Sequence, residues 1–309
     1  MLLADLQIVV KVAEFRSITA AAINLDMRTA TASAALKRVE KSLGTELFIR
    51  TTRQLRLSSA GERYIPQCQL ALQTLAQAKQ NIIDDLDVIE GELRLSVSSD
   101  LGRNLIIPWL DEFMGNYPKL RLRTNISDSV IDFYRDAVDI ALRYGSPANA
   151  NLYGFKICDV PTVLCASQAY LDKYGTPIHP QELKIHNGLF YQLHDIIHDT
   201  WTFTQEETEF RIKMKGNRVS NDGDLVRRWC AAGKGLAIKS SLDMSTELLS
   251  GKVLSVMPEF KTRKIELWLV CPSKQSITPT IRLLRDFIRE RCVSVQTQLI
   301  DRGILQAHL

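Results

Sequence analysis

Two groups of residues in this sequence have types and spacings that suit recognition chemistry. The first runs from Arg28 to Arg53. Thr29, Thr31, Ser33 and Ala34 are small, which allows close approach to base edges and thymine methyl groups. Arg28 can fork onto a guanine or hold a phosphate. Lys37 and Arg38 lie further along and suit phosphate, which positions a protein on a duplex without specifying sequence. Arg50 and Arg53 flank a short basic turn. The alternative for any one of these cations is an ordinary solvated surface charge. The second group sits where predicted strands end: Ser98-Ser99, Ser127-Asp128, Arg143 and Asn221. Hydroxyls and amides there, just before helix starts with free N–H groups, suit a carboxylate or similar anion. Ser98, Ser99 and Asn221 are the first candidates and Ser127, Asp128 and Arg143 the second. Simple helix capping is the competing role.

The elements that must hold the first group are helical. Leu6, Val9, Val10 and Ala13 recur at helix spacing, Ser17 offers an N-cap for the run beginning Ile18, and a third helix carries Ala32, Leu36, Val39 and Leu43 up to Gly44. Two short helices joined by a tight break, the second with a polar outer face, predict a helix-turn-helix. Residues 46–58 read as two short strands around a basic turn, a wing. Ser59 and Glu62 form a capping-box start for a further helix. There Ile65, Cys68, Leu72, Leu75, Lys79, Ile82, Leu86 and Ile89 follow spacings of three and four, which predicts a coiled-coil seam. Pro66 predicts a kink near its start, and Gly91 its end. Beyond Gly91 strands and helices alternate, which predicts an α/β fold with largely parallel sheets, the last helix covering 280–292. Some 200 residues exceed one small sheet, so two lobes are expected.

The 39 Lys+Arg and 35 Asp+Glu give a net charge of +4. Residues 1–60 hold 9 against 5, and the remainder 30 against 30, so the whole excess lies in the first fifth, as a polyanion partner would require. The N-terminus lacks a basic stretch and cleavage site of a signal peptide, and no apolar run approaches about 20 residues, which predicts a cytoplasmic chain. The six cysteines are scattered, without metal-site spacing; reduced, buried thiols are expected, with oxidation of Cys158 and Cys165 to a pair as the alternative. Two enzyme signals are weak. His194 and His198 stand at i, i+4, but Asp195 replaces the glutamate a zinc-protease helix needs, so a surface loop or lobe helix is the expectation. Residues 233–238 begin like a dinucleotide loop, but Ile238 occupies a glycine position. The expectation is a protein that is not an enzyme, without cofactor or metal.

Residues 17–61 resemble the LysR-type regulator signature at Ser17, Ala21, Ala22, Leu25, Ser33, Glu40, Leu43, Gly44, Leu47, Phe48, Arg50, Ala60 and Gly61. The wing and residues 160–177 and 220–238 are similar to the CrgA-like subgroup, and the resemblance runs to about Val293. It implies a multidomain α/β protein: a winged helix-turn-helix over 1–60, a linker helix for dimerisation over 61–90, and a two-lobed, periplasmic-binding-protein-like effector domain over 91–309. Lobe I is expected at 91–162 and 268–293, lobe II at 163–267. It further implies a nucleoid-associated bacterial regulator binding double-stranded promoter or operator DNA, a small effector, expected to be anionic, a tetramer built from dimers, and Arg53 in a minor groove. Two positions depart from the pattern. Arg28-Thr29-Ala30 stand where Ser-Gln-Pro often opens the recognition helix, so base preference does not carry over. Ser58 replaces a commoner threonine and keeps the hydroxyl.

Overall fold

The computed structural model describes residues 2–50, 55–84, 89–129, 131, 133, 136, 138–147, 152–193 and 195–306, with backbone alone at 50, 73 and 76–84. The chain divides into two compact units, residues 1–88 with 132–137, and 89–131 with 138–309.

In the first unit, α1 (Leu3–Phe15), α2 (Ile18–Asn24) and α3 (Thr29–Leu43) pack on one another because their apolar residues share faces: Ile8, Val9 and Val12 meet Ala21, Ala22, Ala32, Ala35, Leu36 and Val39. The Ser17 hydroxyl accepts from Ala20 N at 3.2 Å and starts α2. Gly44 ends α3 at φ +67, a conformation glycine adopts without strain. β1 (Phe48–Arg50) and β2 (Leu55–Leu57) pair antiparallel as a wing, whose tip at 51–54, with Arg53, lies outside the described residues. α4 (Ser59–Asp84) follows. Its start is capped by Ser58 rather than by the Ser59 box: the Ser58 hydroxyl donates to Glu46 O at 2.6 Å and accepts from Gly61 N at 3.1 Å. Gly61 lies so close to β1 that a Cβ would stand 2.2 Å from Leu47 O. Along the expected seam Ile65 and Cys68 are buried, whereas Leu75 is 51% exposed. Lys79 and Ile82 lie where backbone alone is described, and Leu86 lies outside the described residues. The expectation that the helix reaches Gly91 does not hold: residues 89–90 are not helical, and Gly91, at φ +111, opens a strand.

The second unit begins with β3 (Gly91–Val97), α5 (Ser99–Leu101), a π-type turn at Gly102–Ile106, α6 (Ile107–Asn116), β4 (Leu120–Ile126), β5 (Ile140–Tyr144), β6 (Tyr153–Val160), β7 (Thr162–Ser167) and α7 (Gln168–Tyr174). It continues with β8 (Asn187–Leu193), β9 (Ile196–Ile197), β10 (Thr200–Gln205), β11 (Thr208–Lys213), β12 (Lys215–Ser220), α8 (Gly223–Ala231), β13 (Ala237–Ser240), α9 (Ser245–Leu249), β14 (Val253–Ser255), β15 (Ile265–Cys271) and α10 (Pro279–Asp301). One lobe is a five-stranded sheet in the order β4-β3-β5-β15-β6 over a core of Leu95, Val97, Leu101, Ile106, Leu110, Ile140, Leu142, Leu267 and Leu269. The other holds the sheets β13-β7-β14 and β12-β8-β9 and the β10-β11 hairpin, packed around Leu183, Phe190, Trp201, Phe203, Ile212 and Leu236.

The sheets are mixed rather than largely parallel. β3 runs parallel to β4 and β5, and β12 to β8, but β15 is antiparallel to both its neighbours, and β13 and β14 are antiparallel to β7. α10 also runs past the expected Cys292 to Asp301: Ile281, Leu284 and Ile288 seal the first lobe, and Leu299 packs with Cys165, Val226 and Cys230 of the second.

Candidate DNA interface and effector cleft

On α3 the buried stripe Ala32, Ala35, Leu36 and Val39 leaves Arg28, Thr29, Thr31, Ala34, Lys37 and Arg38 exposed and Ser33 half-buried. Arg28 precedes the helix as its N-cap residue. Arg28 and Lys37 have no ion pair among the described residues. Arg38 differs. Its guanidinium forks onto buried Asp5 of α1, Nε–Oδ2 3.1 Å and Nη2–Oδ1 2.5 Å, and so ties α3 to α1. The Arg38 hydrogen bond outweighs burial and holds the Asp5 carboxyl below its usual range. Glu40, on the same helix, accepts from Leu47 N at 2.8 Å and Phe48 N at 3.3 Å, which fixes the wing against α3. Arg50 ends β1 opposite Leu55, with backbone alone described.

In the second unit a cleft of about 410 Å³ is lined by Ser99, Arg103, Ser127, Asp128, Gln192 and Asn221, with Ile126, Ser129, Leu193 and Asp222. Four residues singled out from the sequence, Ser99, Ser127, Asp128 and Asn221, are therefore brought together. Ser98 and Arg143 are not among the lining residues. The Ser98 hydroxyl is buried without a hydrogen-bond partner among the described residues, and Arg143 donates to Ser96 Oγ at 3.0 Å and Leu142 O at 3.4 Å. Burial pushes the Arg143 pKa down, against the opposing pull of Asp128.

The Asp128 carboxylate is already engaged. Oδ1 accepts from Ser99 N at 2.7 Å, and Oδ2 from Ser99 Oγ at 2.6 Å and Gly223 N at 2.8 Å. It thus joins the start of α5 in one lobe to the start of α8 in the other. Asp222 caps α8 by accepting from Leu225 N at 3.1 Å, and Arg103 bridges to it at 3.0 Å and to Asp224 at 3.5 Å. Burial raises the Asp222 and Asp224 carboxyls, but their hydrogen bonds, to Arg103 and to Asn104 and Arg227, outweigh it and hold both below the usual range. Beneath the cleft lies a buried charge network. Lys239 contacts Asp100 and donates to Gly223 O at 2.9 Å. Arg227 pairs with Asp100 at 3.0 Å, with Asp224 at 2.8 Å and with Glu247. Tyr144 donates to Asp243 at 2.7 Å. Burial pushes the Asp100 carboxyl up to about 7, with Lys239 pulling the other way.

Sequence reasoning did not find Arg103, Gln192 or Asp222. Arg103 stands four residues beyond Ser99 on the same helical run, a spacing that could have paired them. Gln192 lies on β8, whose signal was the apolar run after Asn187-Gly188.

His198 follows the short β8-β9 hairpin, in which Ile196–Ile197 pair with Leu193 and Gln192, and is not on a helix; His194 lies outside the described residues. No group of three His, Cys, Asp or Glu able to hold a metal occurs among the described residues. Gly233, at φ +70, terminates a helix that leads into a strand, the reverse of a dinucleotide loop. The cysteines do not pair as 158 with 165. Cys165 stands 3.9 Å from Cys230, and Cys158 lies close enough to Cys292 to act on its thiol. The neighbouring thiol and burial raise the Cys165 pKa well above its ordinary value, which leaves little thiolate for oxidation.

The chain matches two family models: "Bacterial regulatory helix-turn-helix protein, lysR family" over residues 3–62 and "LysR substrate binding domain" over residues 87–293. It is 30% identical over 289 residues to the HTH-type transcriptional regulator DmlR of Escherichia coli, covering 94% of each chain. It is also 30% identical over 292 residues to the transcriptional activator TtdR of the same species, covering 93% of each. Among solved structures it is similar to CrgA, a LysR-type transcriptional regulator from Neisseria meningitidis, at 27% identity and a TM-score of 0.60, covering 94% of this chain and 98% of that one. The virulence activator AphB of Vibrio cholerae matches at 26% identity and a TM-score of 0.58, covering 93% and 98%. The two family models cover the helix-turn-helix and the two-lobed domain in turn, and the chain belongs to the LysR family of transcriptional regulators, with an N-terminal helix-turn-helix that binds DNA and a C-terminal effector-binding domain.

Proposed function

We propose that the cleft of Ser99, Ser127, Asp128 and Asn221 is the effector site, that the effector is a small anionic molecule, and that its binding changes how the chain occupies operator DNA. The observation that carries this reading is the convergence of four strand-end residues, far apart in sequence, on one cleft. Ser98 stands beside them in sequence, and Arg143 is a fixed cation at the neighbouring strand end. DNA contact is assigned to Arg28, Thr29, Thr31, Ser33, Ala34 and Lys37 on or before α3 and to Arg50 and Arg53 of the wing, with Arg38 bracing α3 through Asp5 and reaching phosphate from its exposed side. The chain pairs through α4 as a homodimer, two dimers form a tetramer, and the protein works on the nucleoid in the cytoplasm. No described helix is long and apolar enough to cross a membrane.

The test is a thermal-shift screen of carboxylates and phosphates, followed by operator footprinting with each hit. A ligand at about one hundred times its dissociation constant adds roughly 2.7 kcal/mol of stability. Hits should lose that gain in Asn221→Ala. A hit that stabilises Asn221→Ala as it does the parent chain places the effector elsewhere. For assembly, Leu75→Asp should lower the sedimenting mass and the cooperativity of operator binding; unchanged cooperativity excludes α4 as the pairing helix.

A further inference from the structure

The groups best placed to take a ligand carboxylate in this cleft already hold one. Ser99 N, Ser99 Oγ and Gly223 N converge at 2.6–2.8 Å on the carboxylate of Asp128, which reaches them from the end of β4. Cations stand nearby: a Cβ on Gly223 would lie 3.6 Å from both Asp128 Oδ2 and Lys239 Nζ, and Asp128 acts electrostatically on both Arg103 and Arg143. These cations are not equivalent. Arg103 is paired with Asp222 and Asp224, and Lys239 with Asp100. Arg143 has no ion pair among the described residues; its described hydrogen bonds go to one hydroxyl and one carbonyl. A guanidinium offers five N–H donors in a fork that matches a carboxylate, so one whose described hydrogen bonds go to two neutral oxygens keeps donors for a carboxylate. The cleft thus contains an engaged internal carboxylate and about 410 Å³ of space, and outside its lining residues stands Arg143, a guanidinium with no ion pair among the described residues and only the Asp128 carboxylate acting on it.

We propose that Asp128 is an internal occupant of a carboxylate-binding seat, held there until an effector's carboxylate displaces it and pairs with Arg143. The inference rests on the reading of this cleft as the effector site and adds the ligand class and the means of control. Because Asp128 joins Ser99 of one lobe to Gly223 of the other, its displacement exchanges an interlobe tie made by the chain for one made by the ligand. The internal carboxylate also sets a threshold. A seat filled by Asp128 nine-tenths of the time weakens an incoming carboxylate about tenfold.

The experiment is chemical rescue in the full-length chain, with acetate as the probe. Asp128→Gly opens a carboxylate-sized gap facing the three donors. Acetate should raise its melting temperature and bind about tenfold or more tightly than it binds the parent, while acetamide and chloride at matched ionic strength do neither. Adding Arg143→Gln to this variant should weaken the acetate response. The proposal is overturned if acetate acts equally on parent and variant, if acetamide serves as well, or if folded Asp128→Gly ignores acetate. Should Asp128→Gly not fold, Asp128→Asn, which preserves shape, is titrated with ¹³C-labelled acetate by NMR against the parent under the same criteria. The two readings fail differently. Rescue by acetate, with no carboxylate altering operator binding, keeps the seat but removes the effector role and displacement with it. An effector that binds parent and Asp128→Gly alike keeps the effector site and removes the seat.

Discussion

Replacing Lys239 by methionine retains the length of the side chain and removes its charge from the floor of the cleft. The lysine is 9% exposed, contacts Asp100 and donates to Gly223 O at 2.9 Å. Burial pulls its pKa down, but Asp100 and Asp243 outweigh that, so it is charged in the folded chain. Removing one partner of a buried pair costs about 3–5 kcal/mol. Arg227 still reaches Asp100 at 3.0 Å and Tyr144 still donates to Asp243, which favours the low end, about 3 kcal/mol. At about 2–4 °C per kcal/mol for a unit of this size, the effector domain should melt about 6–12 °C lower. The loss depends on pH. Asp100 has a folded pKa of about 7, above the roughly 3.9 of an unfolded aspartate, so the native state binds the extra proton between those values and stability falls as pH rises through them. Without Lys239 the folded pKa rises further, and the penalty at pH 8 exceeds that at pH 5. Thermal melts of parent and Lys239→Met across that range measure it. Adding Asp100→Asn, which can keep the contact with Asn104, should recover more than half of the loss. A deficit under about 1 kcal/mol, or one that does not grow from pH 5 to 8, refutes the argument that these charges hold one another in the fold.

Arg38→Ala leaves the buried Asp5 carboxylate unpaired and should lower the melting temperature of the DNA-binding unit, modestly because the arginine is half exposed. Since Asp5 has a lowered folded pKa, that contribution is present above the unfolded value and lost as pH falls through the folded one, so melts of parent and variant should converge as the pH is taken below the ordinary carboxylate range. Lys37→Ala should weaken binding to all operator variants alike and reduce the salt dependence by about one unit of slope, whereas Ser33→Ala should lose about 1–3 kcal/mol of discrimination at a single base pair; competition binding at several salt concentrations separates the two. Gly61→Ala gains about 1 kcal/mol of helix propensity but drives a Cβ to 2.2 Å from Leu47 O, and the backbone shift should cost about 1–3 kcal/mol, a net loss visible as a lower melting temperature.

What the sequence made legible was mostly local. The helix-turn-helix rests on spacings within one or two turns and on caps such as Ser17 and Gly44, which act over three or four residues. Errors began where two local signals competed. Ser58 and Ser59 both offer a hydroxyl, and the tie to Glu46 O favours Ser58. Ile82, Leu86 and Ile89 continue a helical period, yet Gly91 pairs with Leu120, and sheet pairing wins there. Long-range facts were not legible. Nothing near Ile265 announces that β15 runs antiparallel between two earlier strands. Polar residues at strand ends located the cleft, but only the fold places Asp128 against Ser99 and Gly223, 29 and 95 residues away. Likewise Cys165 meets Cys230 and Cys158 meets Cys292 because β7 packs on α8 and β6 on α10, relations that spacing does not encode.

The place of β15 in the first sheet has a consequence for how the chain is made. β5 and β6 each leave one edge for β15 and do not pair with each other, yet β15 is synthesised about 120 residues after β5 ends. At roughly 5–20 residues per second on the ribosome, those edges wait about 6–24 s for their partner. α10, which seals both lobes, emerges later still. During that interval the nascent chain presents one open edge of Ile140–Tyr144, whose other edge pairs with β3, and the unpaired segment Tyr153–Val160 to its surroundings, and nascent-chain yield rather than finished-state stability is the quantity that substitutions in them should change first.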